Sequence, residues 1–503
     1  MPSTRILPFV TRRARAATAA VWFALSLLPS LPASIAAQTS DTRSADELRP
    51  IAITHATVVD VTSGRLRSGQ TIVVSGDRIR AVSADAKATI PEGARVVDAS
   101  GKYVIPGLWD MHVHATGPGI DRLFLPALAA YGVTGVRDMW GRFAWYDSAR
   151  AQIARGALVG PRIVGSGHLL DGAPAIWPGS TGVKDAAEAR HIVDSVAAGG
   201  AAFIKVYSRL TPDAFRAAAE QAKLRGLPFA GHVPSLVSVG EASDLGMRSI
   251  EHLQMIPNAC SRDEVAMRAD YAAAVASPKG WDSAGVVSRA QARRVVDTFD
   301  PSRCRALATR LKRNGTWMVP TMTVLHAVAF LDDSTLAADA RMAFIPKWFS
   351  ASWNPKADFR FRMLTPQDWA LRKLIFAEQR QIVTLLHNAG VPFLAGTDLS
   401  NPYVFPGASL HEELRNLVAA GFTPLEALQA ATINPARYLT ATDSLGTVDA
   451  GKLADLVVLD ANPLADIANT ERVYAVVLNG RLVEAAERTR LLDEAKRLAS
   501  GRP

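Results

Sequence analysis

Val104-Ile-Pro-Gly-Leu-Trp-Asp-Met-His112-Val-His114-Ala-Thr116 is the stretch on which the fold turns. An apolar run ends in two histidines two residues apart. Alternate side chains of a strand share a face, so His112 and His114 point the same way. Two imidazoles on one face of a strand tip form a natural metal grip. A lone His-x-His pair arises easily by chance. This one gains weight because more metal-binding side chains follow downstream, each again at the end of an apolar run.

From residue 103 onward, strand and helix patterns alternate. Apolar strand-like runs end at His112–His114 and cover 132–138, 162–166, 202–207, 227–232, 248–252, 317–321 and 391–397. Helical patterns cover 120–131, 147–155, 185–198, 211–225 and 239–245, with Thr211-Pro212-Asp213 as cap and first turn. Eight strands with mostly helical crossovers predict an α/β chain, a (β/α)8 TIM barrel. Two excursions, 257–301 and 326–366, leave from the C-terminal ends of strands six and seven, where such a barrel keeps its active site. The second carries Phe344, Trp348, Phe349, Trp353, Phe359 and Phe361, and reads as a lid or pocket wall.

Both flanks have β-pattern. Segments 52–60, 70–75, 79–82 and 95–98 are short strands broken by turns, and 444–460 and 472–478 add more, with Asn479-Gly480 as a hairpin turn. The tail is too small to bury a sheet alone. It is expected to join the N-terminal strands in one small β-sandwich domain built from both chain ends. The expected organisation is a signal peptide (1–37), a flexible segment (38–50), the first part of the β domain (51–104), the barrel (105–438), the second part of the β domain (439–483) and a terminal helix (484–503).

The signal peptide rests on Arg5, Arg12, Arg13 and Arg15, followed by an apolar 16–28 and small residues up to Ala36 and Ala37. A permanent anchor helix is the other reading, but the apolar core is short for a span and Pro29 and Pro32 close it. The chain is therefore expected to be exported, to the periplasm or outside the cell, with no membrane segment in its mature form. Without 1–37 the 503-residue chain, 49% hydrophobic, keeps 52 basic and 47 acidic residues, a net +5. That mild excess, with no basic cluster interleaved with aromatics, excludes a nucleic-acid partner. The oligomeric state is open, a homo-oligomer included. Cys260 and Cys304 are either bridged or free.

The candidate metal ligands are His112 and His114 on strand one, Lys205 on strand four, His232 on strand five, His252 on strand six and Asp398 after strand eight. All converge on one mouth of the barrel. Lys205 lies in an apolar strand, where a bare ammonium is expensive. It is either a satisfied ion pair or a carbamate formed with carbon dioxide, an anion whose two oxygens bridge two cations. Two divalent ions, zinc first among them, would generate a bridging hydroxide near neutral pH. Asp398 would accept its proton and pass it to the leaving group. Tyr207 shares the face of Lys205 and either donates to substrate or packs under the lid. His168, ending strand three, is a candidate substrate contact or a loop residue. Asp138 either orients a ligand histidine or pairs with Arg137.

These residues resemble the amidohydrolase superfamily, in its binuclear branch with a carboxylated lysine, near imidazolonepropionase-like and Xaa-Pro-dipeptidase-like (prolidase and ochratoxinase-type) enzymes. The resemblance runs from about residue 51 to 483 and includes Gly451-Lys-Leu-Ala-Asp455, Leu410-His-Glu-Glu-Leu-Arg415 and Thr423-Pro-Leu-Glu-Ala-Leu-Gln-Ala-Ala-Thr432. It implies a hydrolase of amides beside a free carboxylate, acting on dipeptides or N-acyl amino acids. Lactone, carbamate or phosphotriester hydrolysis on the same binuclear site is the alternative. Imidazolonepropionase itself fits less well, since a one-metal enzyme has no need of Lys205.

Overall fold

The computed structural model describes residues 49–501. The expected signal peptide and nearly all of segment 38–50 lie outside the described residues. Among those described, no helix is long and apolar enough to cross a membrane.

The fold is α/β, with parallel and mixed sheets. Leu108–Val113, Val133–Asp138 and Arg162–Gly165 form one parallel sheet. A second runs in the order Thr181–Val183, Leu169–Gly172, Ile204–Val206, Phe229–Gly231, Ser249–Glu251 and Trp317–Val319, parallel throughout. These strands are short and largely buried, Val133–Asp138 completely, as sheets covered by crossover helices must be. Asp121–Ala130, Phe143–Ala154, Ala186–Ala198, Pro212–Leu224 and Val239–Asp244 are among the crossovers. Thr211 caps Pro212–Leu224 by accepting from the Ala214 N–H, as its Thr-Pro-Asp sequence predicts.

Two features depart from the sequence reading. Leu169–Gly172 and Thr181–Val183 were not foreseen, and the former supplies the parallel partner of Ile204–Val206. Segment 391–397 is not a regular strand. It still bridges its neighbours: Met318 N–H donates to Pro392 at 2.9 Å, Leu394 to Met318 at 2.9 Å, and Met111 to Ala395 at 2.9 Å. Gly396 permits that approach, since a Cβ there would lie 2.7 Å from Val319 Cγ1 and 3.0 Å from the His112 backbone nitrogen.

The strands near both chain ends form one eight-stranded sheet. Its order is Arg481–Val483, Val473–Leu478, Leu456–Leu459, Tyr103–Pro106, Ile51–Val59, Leu66–Ser75 and Arg78–Ala84, with Arg95–Asp98 also beside Ile51–Val59. Alternation divides its side chains between two cores. Val104, Leu456, Val458 and Val477 join Ile53 and Ile72 in the sheet's own core. Ile105, Val457, Leu459 and Val476 join the large core of the parallel strands and their helices. The opening motif is thus shared between two sheets, with Gly107 between them, where a Cβ would lie 2.0 Å from Thr134 Oγ1.

The first excursion is a helical hairpin, Glu264–Ala276 and Trp281–Asp297. A disulfide between the buried Cys260 and Cys304 closes its stem. Cross-linking residues 44 apart removes freedom from the unfolded chain. Cys304→Ser should therefore lower the unfolding free energy by about 2–4 kcal/mol, read from denaturant melts of the oxidised protein and the variant.

Candidate metal centre

His112, His114, Lys205, His232, His252 and Asp398 all line one cavity of about 680 Å³, together with Tyr207. His112, His252 and Asp398 each offer a ligand atom within 4.8 Å of the others. His112 Nε2 lies 3.4 Å and His114 Nε2 3.1 Å from Asp398 Oδ1, and His252 Nε2 lies 3.8 Å from Oδ2. The His232 ring is 4.9 Å from that of His252 and 4.0 Å from that of Tyr207.

Three imidazoles are oriented from behind. His112 Nδ1 lies 2.7 Å from Glu251 Oε2, a carboxylate that only accepts. His252 Nδ1 lies 2.8 Å from Thr321 Oγ1, whose own proton goes to the Pro320 carbonyl at 2.7 Å. Thr321 therefore accepts from His252. His232 Nδ1 pairs with Ser208 Oγ at 2.9 Å. This arrangement leaves the Nε2 atoms to face the cavity. Nε2 of His112 and Nδ1 of His114 are buried with no hydrogen-bond partner, a state that costs about 1–3 kcal/mol per atom unless something occupies it.

Protonation agrees with ligation. Burial, then the neighbouring Lys205 charge, holds His112 well below the usual imidazole range, and burial with His252 does the same for His232. His252 is lowered to about 4, chiefly by burial. Burial opposes ionisation of Asp398, but the His252 charge and the hydrogen bond from His114 outweigh it, and its pKa falls to about 2. Neutral imidazoles and an ionised carboxylate are the forms that bind divalent cations. The residues present fit a metal.

The backbone is adapted to the site. His252, Thr321 and Asp398 have φ of 57°, 48° and 62°, a left-handed conformation costly for side chains with a Cβ and concentrated at functional sites. Asp110, two residues before His112, accepts from Thr397 N–H at 3.0 Å and Thr397 Oγ1 at 2.6 Å, tying the His-x-His strand to the segment before Asp398.

The structure departs from the sequence reading in part of the surroundings. His168 is exposed, lies against Phe143, pairs loosely with Thr181 and is not among the residues lining the cavity. Asp138 neither holds a ligand histidine nor pairs with Arg137. Its oxygens accept from the backbone of Ala115, Thr116 and Trp140, so it shapes the loop after strand one. Arg137 pairs with Glu251 at 2.8 Å. Glu251 is a further residue of the site, marked in the sequence only by an acid directly before His252 in the buried strand Ser249–Glu251. Of the aromatic excursion, Phe349, Trp353, Phe359 and Phe361 line the cavity. Phe344 is buried elsewhere, against Ala127 and Ala495, and Trp348 is exposed.

Comparison with known proteins agrees with this geometry. The model of the amidohydrolase family matches residues 103–483, and the chain belongs to that family. Its cluster of His112, His252 and Asp398 gives it the donors of a metal site. Among solved structures it is similar to bottromycin amidohydrolase, at 25% identity and a TM-score of 0.69, over 90% of this chain and 91% of that one. A putative prolidase from Bifidobacterium longum shares the fold at 24% identity and a TM-score of 0.62, over 89% of this chain and 99% of that one. Imidazolonepropionase of Streptococcus gordonii is 33% identical over 132 residues, 24% of this chain and 41% of the relative. Adenine deaminase 3 of Rhizobium meliloti (strain 1021) is 40% identical over 77 residues, 15% of this chain and 13% of the relative. The chain thus spans less than half of these curated relatives.

Glu251→Gln should weaken metal binding about 10–100-fold, the range for loss of an outer partner of a ligand histidine. Chelator competition on variant whose circular dichroism matches wild type would show it. Unchanged affinity would mean His112 is held without Glu251.

Proposed function

We propose that the protein is an exported binuclear hydrolase that cleaves amides, of peptides or N-acyl amino acids, beside a free carboxylate. The convergence of six donor residues on one cavity carries this reading. Lys205 is its pivot. The lysine is buried, and burial outweighs the attraction of Glu251 and Asp398, lowering its pKa to about 8. A free amine is the form that condenses with carbon dioxide, and the carbamate would add an anionic donor to the set of His112, His114, His232, His252 and Asp398 that would hold the metal. The disulfide suits an oxidising compartment. The same reading takes the two parallel sheets and segment 391–397 as one closed (β/α)8 barrel. Hydrogen bonds from Ala202 to Gly165 at 3.0 Å and from Asp398 to the His112 carbonyl at 2.7 Å support it. It takes the terminal sheet, around its own core, as the β-sandwich.

Divalent ions, zinc first among them, would supply Lewis-acid polarisation of a substrate oxygen and acidify water. Asp398, kept ionised, accepts the proton of the attacking water and delivers it to the leaving amine. Tyr207 Oη accepts from Trp177 Nε1 at 2.9 Å, so its own proton is free for a substrate carboxylate or the developing oxyanion. The aromatic wall shields the site from water and favours a bulky apolar or aryl portion.

Elemental analysis of chelator-free protein should find two divalent ions per chain; one or none in active protein ends the binuclear reading. Lys205→Ala should lose metal and activity, with partial rescue by a small carboxylic acid. Asp398→Asn should keep the fold and most metal while lowering kcat at least about 10²-fold, and near-normal turnover would place the base elsewhere.

A panel of dipeptides, N-acyl amino acids, aryl lactones and phosphotriesters tests the substrate class. Turnover of esters, lactones or phosphotriesters alone would overturn the amide assignment.

A further inference from the structure

Arg372, on the helix Pro366–Asn388, lines the metal cavity and also a second cavity of about 560 Å³ beside it. The two share Leu325, Val328, Phe359, Arg360 and Arg372 in their walls. The second reaches the hairpin helix Trp281–Asp297 and is basic: Arg209, Arg289, Arg360 and Arg372 face it, against Asp282 and Asp368.

The shared arginines differ in what they hold. Arg360 is spent on Asp358, through Nε at 3.0 Å and Nη2 at 2.6 Å, and on Asn401 at 3.3 Å. Among the described residues, nothing accepts a hydrogen bond from Arg372 and no carboxylate is within ion-pair distance of it. The nearby acids Asp358 and Asp368 attract it only from beyond ion-pair distance, Asp358 being hydrogen-bonded by Arg360 and Asp368 by the Thr365 N–H at 2.8 Å. The Arg372 guanidinium instead faces rings, 5.1 Å from the centroid of Phe361 and 5.9 Å from that of Trp369. Burial, together with the Arg360 charge, depresses its pKa below the usual range. A half-buried guanidinium with five unspent donors, fixed by aromatic walls, is built to receive a planar anion.

Its position sets which anion. Tyr207 packs on His232, Trp177 bonds to Tyr207, Arg360 lies 5.3 Å from the Trp177 ring, and Arg360 and Arg372 meet across Phe361. These contacts run in series from His232 to Arg372, which stands several side chains along the cavity wall from that histidine. We infer that Arg372 binds a carboxylate of the substrate that lies away from the scissile bond, on a side chain or a further residue that extends toward the second cavity. The inference rests on the amide-hydrolase reading for its substrate class, and on the cavity alone for the anion site.

Two measurements separate these dependencies. The first needs no turnover: 4-phenylbutyrate and 4-phenylbutanol are titrated against metal-loaded protein by tryptophan fluorescence. Wild type should bind the acid at least about tenfold more tightly, the order of a charge-assisted hydrogen bond. Arg372→Gln should abolish that preference and Arg372→Lys restore part of it. A preference that persists in Arg372→Gln would place the carboxylate on the metals and overturn the inference. The second compares Phe-Glu with Phe-Gln as substrates. Wild type should favour Phe-Glu at least about tenfold in kcat/KM, through KM, and the ratio should approach one in Arg372→Gln. Equal turnover of both by wild type sinks the inference and leaves the amide reading standing. No turnover of any amide sinks the amide reading, while the fluorescence result still decides the anion site.

Discussion

A buried ion pair, Arg137 with Glu251, is the constraint on which the rest of the structure depends. Both side chains are sealed from solvent. Arg137 leaves the second parallel strand and donates to the Met111 carbonyl at 2.7 Å, Ser249 Oγ at 3.0 Å, Tyr438 Oη at 2.7 Å and both oxygens of Glu251. It therefore clamps strands one, two and six and the helix Ile433–Tyr438 at one point. Burying two charges costs several kcal/mol per ion, recovered only when nearly every donor and acceptor is used. Glu251 completes the balance by taking His112 Nδ1. The pair converts that electrostatic expense into a fixed angle for one ligand ring.

Much of this was legible in the sequence, because metal ligands at strand ends follow local rules. Period-two alternation put His112 and His114 on one face, and apolar runs ending in His232, His252 and Asp398 marked the same mouth. Lys205 was conspicuous because a cation in an apolar strand demands an explanation. Glu251 was hidden by the same alternation that exposed the histidines. Neighbours in a strand should face opposite sides, so Glu251 and His252 could not both serve the site. The left-handed φ of His252 breaks that rule, and no residue pattern announces it. Long-range partners were equally invisible. The role of Asp138 is hidden because it accepts mainly from the backbone of Ala115 and Thr116, 23 and 22 residues away in sequence.

Other motif residues prove to be braces. His411 spans Thr470 and the Tyr131 carbonyl, each at 3.0 Å. Glu413 accepts from the backbone of Met322 and Thr323, fixing the chain just after strand seven. Asp455 bonds Arg162 at 2.6 Å and the Asn479 N–H at 2.8 Å, so the glycine-lysine-rich tail locks the terminal sheet to the start of strand three. Residues that recur in a sequence signature need not touch substrate. Here several keep the frame rigid enough for the ligand atoms to stay within a few ångströms of one another.

Gly107 joins the terminal sheet directly to the strand that carries His112 and His114. Tyr103–Pro106 is paired on one side with Ile51–Val59 and on the other with Leu456–Leu459. The strand carrying His112 is therefore anchored by a segment synthesised some 350 residues later, and Asp398 meets His112 across a gap of nearly 290 residues. Contacts of such sequence separation form slowly and only once the chain is nearly complete. A partly synthesised chain holds these donor side chains far apart. The donor cluster of His112, His252 and Asp398 thus closes late in the life of the molecule, and any ion it takes is drawn from wherever the final turns of chain arrive.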